Sequence, residues 1–192
     1  MAPRKEEDFE KIRVESRKKI LETATELLAE KGYGGTTMSE LAKRAGVSKG
    51  LAYNYFGSKE EILAEVVRSG LQELFDSFEL PEGALSDDDV AKMIEHNFDI
   101  LDNDPKRWSL YFMVFLQPEA SKIAGPLIFE IMAPILEKLA VFLSSKGVEK
   151  PLVEAYFVGS VLDGISLNYL YNKEIYPKEY AIKRLKQILK LE

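Results

Sequence analysis

Apolar residues recur three and four apart through most of this chain, and clean alternation between hairpin turns is almost absent. The pattern predicts an all-α protein of about nine helices. The first runs from about Phe9 or Arg13 to Lys31, with Ile20, Leu21, Ala24, Leu27 and Leu28 on its apolar face and Gly32 closing it. Thr37 and Glu40 have capping-box spacing, so a second helix starts near Met38 and turns Leu41, Ala42 and Ala45 inward. Gly46 suits the left-handed residue that ends such a helix, Val47 plugs the turn, and Ser48 can cap the next helix, Lys49 to about Phe56. Ser58 and Glu61 form another box, opening a helix to about Phe78 that Leu80-Pro-Glu-Gly83 breaks. Further helices are expected from Ser86 to Leu101, from Pro105 to Gln117, from Pro151 to Tyr171 and from Pro177 to Leu191. Between them, Pro118 starts a short segment. A longer buried helix follows from about Gly125 to Ser145, kinked near Pro134 and stopped by Gly147.

The third helix divides by angle. Ala52, Tyr55 and Phe56 point to one side; Lys49, Gly50, Tyr53 and Asn54 point to the other. Two short helices about a glycine turn make a helix-turn-helix, whose second helix enters the major groove with its N-terminal residues at base edges. Asn54 can bond adenine bidentately, Lys49 can donate to guanine, and Gly50 permits close backbone approach. Tyrosine hydroxyls and Lys59 can fix register on phosphate. Thr37, Ser39, Ser48 and Tyr55 complete the candidate DNA-facing set. Arg13 and Arg17, one turn apart, are either solvated surface or phosphate clamps. Residues 1–10 read as a mobile arm; Arg4 and Lys5 are its possible DNA contacts.

Gly32-Tyr33, Thr36-Thr37, Leu41-Ala42, Ala45 through Gly50, Tyr53, Tyr55-Phe56 and Ser58-Lys59-Glu60 together resemble the DNA-binding domain of the tetracycline-repressor (TetR) family of bacterial transcription regulators. The resemblance covers about the first third of the chain; the rest matches in length and helical character. It departs at Leu51, where many members carry a small hydroxyl residue, and at Ala52, where many carry a larger apolar one. Leu51 can touch a thymine methyl, or it has exchanged packing roles with Ala52.

Charge refines this picture. The net charge of -6 belongs to the second part: residues 1–63 hold 12 Lys and Arg against 11 Asp and Glu, the remainder 14 against 21. Cations cluster at Arg13, Arg17, Lys18, Lys19, Lys43, Arg44, Lys49 and Lys59, and local placement governs phosphate contact. An acidic second part limits non-specific DNA binding. No cysteine is present, which excludes disulfides and thiolate metal sites and suits a reducing cytoplasm. The charged first residues lack the apolar region of a signal peptide, and no apolar run reaches membrane-spanning length. We expect residues 1–63 to form the DNA-binding domain and residues 64–192 a helical effector-binding and dimerisation domain.

The second part is rich in aromatic residues. Phe98, Trp108, Tyr111, Phe112, Phe115, Phe129, Met132 and Tyr156 are either core or the wall of an adaptable apolar pocket. His96, Asp99, Asp163 and Asn168 are candidate polar groups for orienting a ligand there. His96 is the single histidine and lacks companions for a metal site, so no metal and no cofactor are expected. Ala155, Gly159, Ser160 and Gly164 form a small-residue stripe, suited to a bulky neighbour or to a two-fold interface with Tyr180, Leu185 and Ile188 of the last helix. The resemblance implies a homodimer joined through the last two helices and a small-molecule effector, largely apolar, held in the C-terminal domain. It further implies a repressor of a palindromic operator, released when the effector binds, with coupling through the helix that starts at Lys59. Two other functions compete: an effector-independent architectural DNA binder, and an enzyme acting on an apolar small molecule. The enzyme lacks support, because no nucleophile elbow, zinc helix, P-loop or dinucleotide fingerprint is present.

Overall fold

The computed structural model describes residues 6–191, with the side chains of 10–191 other than Phe115. Arg4 and Lys5 of the expected arm and the Phe115 side chain lie outside the described residues, while residues 6–10, also expected in that arm, are helical and open α1. The described residues form nine helices and no strand: α1 (Glu6–Gly35), α2 (Met38–Ala45), α3 (Lys49–Tyr55), α4 (Lys59–Ser77), α5 (Asp87–Asn103), α6 (Pro105–Leu116), α7 (Pro118–Ser145), α8 (Pro151–Tyr171) and α9 (Lys178–Ile188). They group into two compact units, one holding the chain through Gly70 together with Met113–Leu127, the other holding Leu71–Phe112 and the chain from Ile128 onward.

In the first unit, Ile20, Ala24, Leu27 and Leu28 of α1 are buried, as are Leu41, Ala42 and Ala45 of α2. Ala52, Phe56 and, from α4, Ile62, Leu63, Val66 and Val67 complete this buried set. Each large side chain so buried contributes about 1.5–3 kcal/mol. Gly32, which the sequence places at the end of α1, has φ 69 and ψ 177; helical turns resume beyond it to Gly35. The glycine suits a positive φ, and a Cβ there would meet Gln117 Nε2 at 2.8 Å, so that side chain would have to shift. Gln117 uses that proximity: its Oε1 accepts from the Tyr33 backbone N–H at 3.0 Å.

In the second unit, α5 packs against α8 and α9. One buried cluster joins Val90, Ile94, Leu136, Leu139, Phe142, Leu143, Val158, Leu185 and Leu189; another joins Phe98, Leu101, Tyr169 and Ala181. Ser86 and Asp89 form a complete reciprocal capping box at the start of α5. Lys138 gathers the preceding turn by donating to the carbonyls of Pro81, Glu82 and Gly83 at 2.7, 3.2 and 3.1 Å.

Three expectations need correction. The segment from Pro118 and the helix expected from Gly125 are one helix, α7, containing both Pro126 and Pro134. Both prolines are exposed, so the carbonyls left without an amide partner can bond water. Nor is α7 buried all round: Phe129, Glu130, Glu137 and Val141 are exposed. Finally, two capping boxes are one-sided. Thr37 Oγ1 accepts from the Glu40 N–H at 3.2 Å, but the Glu40 carboxylate pairs with Lys31. Ser58 Oγ accepts from the Glu61 N–H, while the Glu61 carboxylate accepts from the Gly57 N–H at 2.7 Å, one residue early.

Candidate nucleic-acid interface

The turn between α2 and α3 is built by local rules. Gly46 is left-handed (φ 70, ψ 30) and donates its N–H to the carbonyls of Ala42 and Lys43. Val47 N–H returns to the Ala42 carbonyl at 3.0 Å, and Ser48 Oγ accepts from the Leu51 N–H at 3.1 Å. The helix so started is short. Ala52 is its buried contact, and Phe56, just past its end, is buried with it. Lys49, Gly50, Leu51, Tyr53 and Asn54 are exposed together, and Tyr55 is half-buried. The Lys49 ammonium lies 5.9 Å from the centre of the Tyr53 ring, which brings a cation and a phenol to one edge.

The two explanations of Leu51 now separate. Leu51 is 36% exposed and Ala52 0%, so Leu51 has not taken over an inward packing position.

The remaining candidates divide between outward and inward roles. Arg13, Thr37, Ser39 and Ser48 are exposed, Arg13 standing 3.6 Å from Glu10. Arg17 is turned inward: its guanidinium donates to Glu65 at 2.8 Å and covers the Phe56 ring at 5.0 Å. Lys59 is also held. Its ammonium donates to the Tyr33 carbonyl at 3.0 Å and sits 4.0 Å above the Tyr33 ring. Tyr33 in turn donates its hydroxyl to Glu60 at 2.7 Å. Burial, then this contact with Glu60, pushes the Tyr33 hydroxyl well above the ordinary phenol range, and the bond holds the Glu60 carboxyl low. Arg17 and Lys59 thus brace the reader from behind, using the donors that a phosphate would need. Sequence reasoning missed Gln117 and Tyr33 as members of this support.

The candidate ligand residues do not converge on one place. His96 and Asp99 border a cleft of about 290 Å³ with Ser77, Phe78 and Met93. There His96 shares a 3.0 Å hydrogen bond with Ser77 Oγ and meets the Phe78 ring edge-on. Phe98 is fully buried against Tyr169, and Tyr111 is buried beside the half-buried Trp108. Phe112 and Met132 are half-buried. Phe129 and Tyr156 stack on one another at the surface, ring centres 6.3 Å apart. Asn168 is exposed and donates to the Gly164 carbonyl at 2.7 Å. Asp163 is exposed, yet crowding by its surroundings raises its carboxyl above the usual range. Among the described residues, no cluster of three His, Asp or Glu side chains could hold a metal ion, and no helix is long and apolar enough to cross a membrane.

Of the candidate interface residues, Ala155 and Leu185 are buried within the second unit, Gly159 and Ile188 are half-buried, and Ser160, Gly164 and Tyr180 are exposed. Leu152, Val153, Phe157 and Tyr171, which the small-residue reading passed over, are exposed on α8.

Residues 20–66 match the model of the bacterial regulatory proteins, tetR family. The chain is 36% identical over 117 residues to the uncharacterised HTH-type transcriptional regulator YdgC of Bacillus subtilis (strain 168), covering 57% of this chain and 58% of that one. It therefore spans less than two thirds of that relative's length. Among solved structures, a transcriptional regulator FadR from Bacillus subtilis in complex with stearoyl-CoA matches 89% of this chain and 96% of its own, with TM-score 0.72 and 22% identity. A regulator from Saccharomonospora viridis in complex with choline matches 92% and 96%, with TM-score 0.71 and 22% identity. At that identity the likeness is one of fold.

Proposed function

The chain belongs to the TetR family of bacterial regulatory proteins, and from that premise we propose that it is a cytoplasmic transcriptional repressor, released from its operator by a small-molecule effector. The observation that carries this reading is the exposed face of α3, where Lys49, Gly50, Leu51, Tyr53 and Asn54 stand free while Ala52 anchors the helix. That face offers a donor for guanine, an amide for adenine, an apolar contact and a phenol, on a helix that fits a major groove. Residues 1–63 are the DNA-reading part in this account, and residues 64–192 hold the effector and the dimer interface.

Such a short helix reads few base pairs, so two copies are needed for a specific site. A two-fold homodimer would place its readers about 34–36 Å apart, or a multiple of that, on a palindromic operator. Support comes from α8, whose outer side exposes the large apolar side chains of Leu152, Val153, Phe157 and Tyr171, a surface suited to a covering partner. The stearoyl-CoA and choline complexes of the two structural neighbours support a small-molecule ligand, which this account assigns to the second part. To clear an operator, the effector must prefer the non-binding arrangement by about 5 kcal/mol. Because α4 contributes residues to both units, it is the natural element through which that preference would act.

The test is anisotropy titration of the protein against DNA from upstream of its own gene, with scrambled DNA as control, at two salt concentrations. Preference for the upstream fragment that Tyr53→Ala abolishes supports the reading. Equal, weak and steeply salt-dependent binding to both fragments, or no binding at low salt, overturns it.

A further inference from the structure

An exposed leucine on the outer side of a recognition helix is unusual chemistry for a polar groove. Leu51 is 36% exposed and stands beside Gly50 and Asn54 on the exposed part of α3, about 100° around the helix from the buried Ala52. It can neither accept from nor donate to a base edge or a phosphate. Placed against the polar edge of guanine, cytosine or adenine, it would strip water from groups it cannot pair, at a cost. The one apolar group on the floor of the major groove is the C5-methyl of thymine. Leu51 is also three residues before Asn54. Such neighbours have Cβ atoms about 5–6 Å apart, against about 3.4 Å per base-pair step, so the two side chains address base pairs one or two steps apart. Long side chains on a helix lean toward its N-terminus, the end that enters the groove first.

We propose that Leu51 reads a thymine methyl in each half-site, one or two base pairs from the adenine bonded by Asn54. The inference rests on the DNA-reading function above. It adds what that function leaves open: one base identity, and the residue that sets it.

The experiment has two stages. Random duplexes are first selected on the full chain, giving the preferred half-site. Each thymine of the selected duplex is then replaced, one at a time, by deoxyuridine, which deletes the methyl and keeps every hydrogen-bonding group. The expected result is one thymine per half-site at which the replacement weakens binding roughly fourfold, the equivalent of one methyl buried at about 0.8 kcal/mol. Changing both half-sites should give roughly sixteenfold. In Leu51→Ala the same replacement should cost nothing, whereas Leu51→Ile, which keeps an aliphatic surface, should retain part of the penalty. Leu51 is exposed, so both variants should melt within a degree or two of the parent. A specific half-site whose thymine methyls all act equally in the parent and in Leu51→Ala overturns this inference alone. A selection that returns no preferred sequence overturns the DNA-reading function with it.

Discussion

Gly50 and Gly46 lie four residues apart, and substitution by alanine should act in opposite directions on them. Gly50 is inside α3 with ordinary helical backbone, and a Cβ built there meets no atom of the chain within 4 Å. Glycine in a helix costs about 0.5–1 kcal/mol relative to alanine, so Gly50→Ala should stabilise the protein by up to that amount. For a chain of this length, 1 kcal/mol corresponds to about 2–4 °C in Tm, giving a rise of about 1–4 °C. The space is open toward solvent on the face proposed to meet DNA. A methyl there intrudes on a close-packed interface at about 1–3 kcal/mol, or roughly 5- to 150-fold weaker operator binding. Gly46→Ala should do the reverse to stability. Its φ of 70 places a Cβ in the left-handed region at about 1–2 kcal/mol, although the nearest atom, Lys19 Nζ, is 3.6 Å away and no clash is involved. Thermal melts followed by circular dichroism, with anisotropy on the same samples, separate the two effects. A Gly50→Ala protein that melts lower than the parent refutes the helix argument. One that melts higher and binds operator as tightly as the parent refutes the close approach of α3 to DNA.

Lys59→Met should lower stability by about 1–3 kcal/mol, because it removes a charged donor from the Tyr33 carbonyl and a cation from above its ring; an unchanged urea midpoint with weaker DNA binding would return Lys59 to a phosphate contact. Asp102→Asn should flatten the acid limb of the stability profile. Burial alone would raise the Asp102 carboxyl, but hydrogen bonds from Lys173, Tyr169 and Lys178 outweigh it and hold the group below its ordinary range. A folded-state value depressed below the unfolded value of about 3.9 gives stability that is complete above that pH and lost as pH falls through the folded value. Urea midpoints at pH 7 and through pH 5 to 3 should therefore fall for the parent and change less for the variant; parallel curves would show that Asp102 is not the group responsible. Phe157→Glu, on the exposed side of α8, should convert the proposed dimer to monomer by light scattering with helicity unchanged, whereas an unaltered dimer mass would remove α8 from the proposed interface.

Local rules were legible in the residues themselves. Thr37, Gly46, Ser48 and Ser86 satisfy backbone groups three or four residues away, so their roles follow from spacing, and the starts of α2, α3 and α5 come with them. Long-range partners were not legible. Tyr33 and Gln117 are 84 positions apart, and nothing near Gly32 announces that a glutamine side chain will occupy the space a Cβ would need. Charge is similar: Arg17 reads from sequence as solvated surface or a phosphate clamp and Lys59 as a phosphate contact, whereas within the first unit the Glu65 carboxylate, which also accepts from Arg68, and the Tyr33 carbonyl, which also accepts from the Thr36 N–H, take their donors. The single helix α7 was missed for a related reason. Proline in a helix interior removes one backbone bond and crowds the preceding turn; at Pro126 and Pro134 the freed carbonyls can bond water, and that exposure depends on what packs against the helix.

The small-residue stripe on α8 is a case where spacing alone does not separate the faces of a helix. Ala155 is buried in the second unit's own core and needs no external partner to explain it, whereas a Cβ on Gly159 would make only ordinary contact with Leu136 at 3.7 Å, so packing within the chain does not demand glycine there. Gly164 differs. It is exposed, a Cβ there would meet nothing within 4 Å, and its helix cost of about 1 kcal/mol is not repaid by packing within the chain. It belongs to a second row, Val153, Phe157, Ser160, Gly164 and Tyr171, spaced by four, three, four and seven residues. That rhythm is the seam of two helices packed along their length. Large residues stand at its ends and small ones at its middle, so a partnering helix would cross most closely at Ser160 and Gly164. A two-fold axis through that crossing would set Phe157 of each copy beside the small residues of the other, which is how one self-complementary face can both exclude water and explain an otherwise costly glycine.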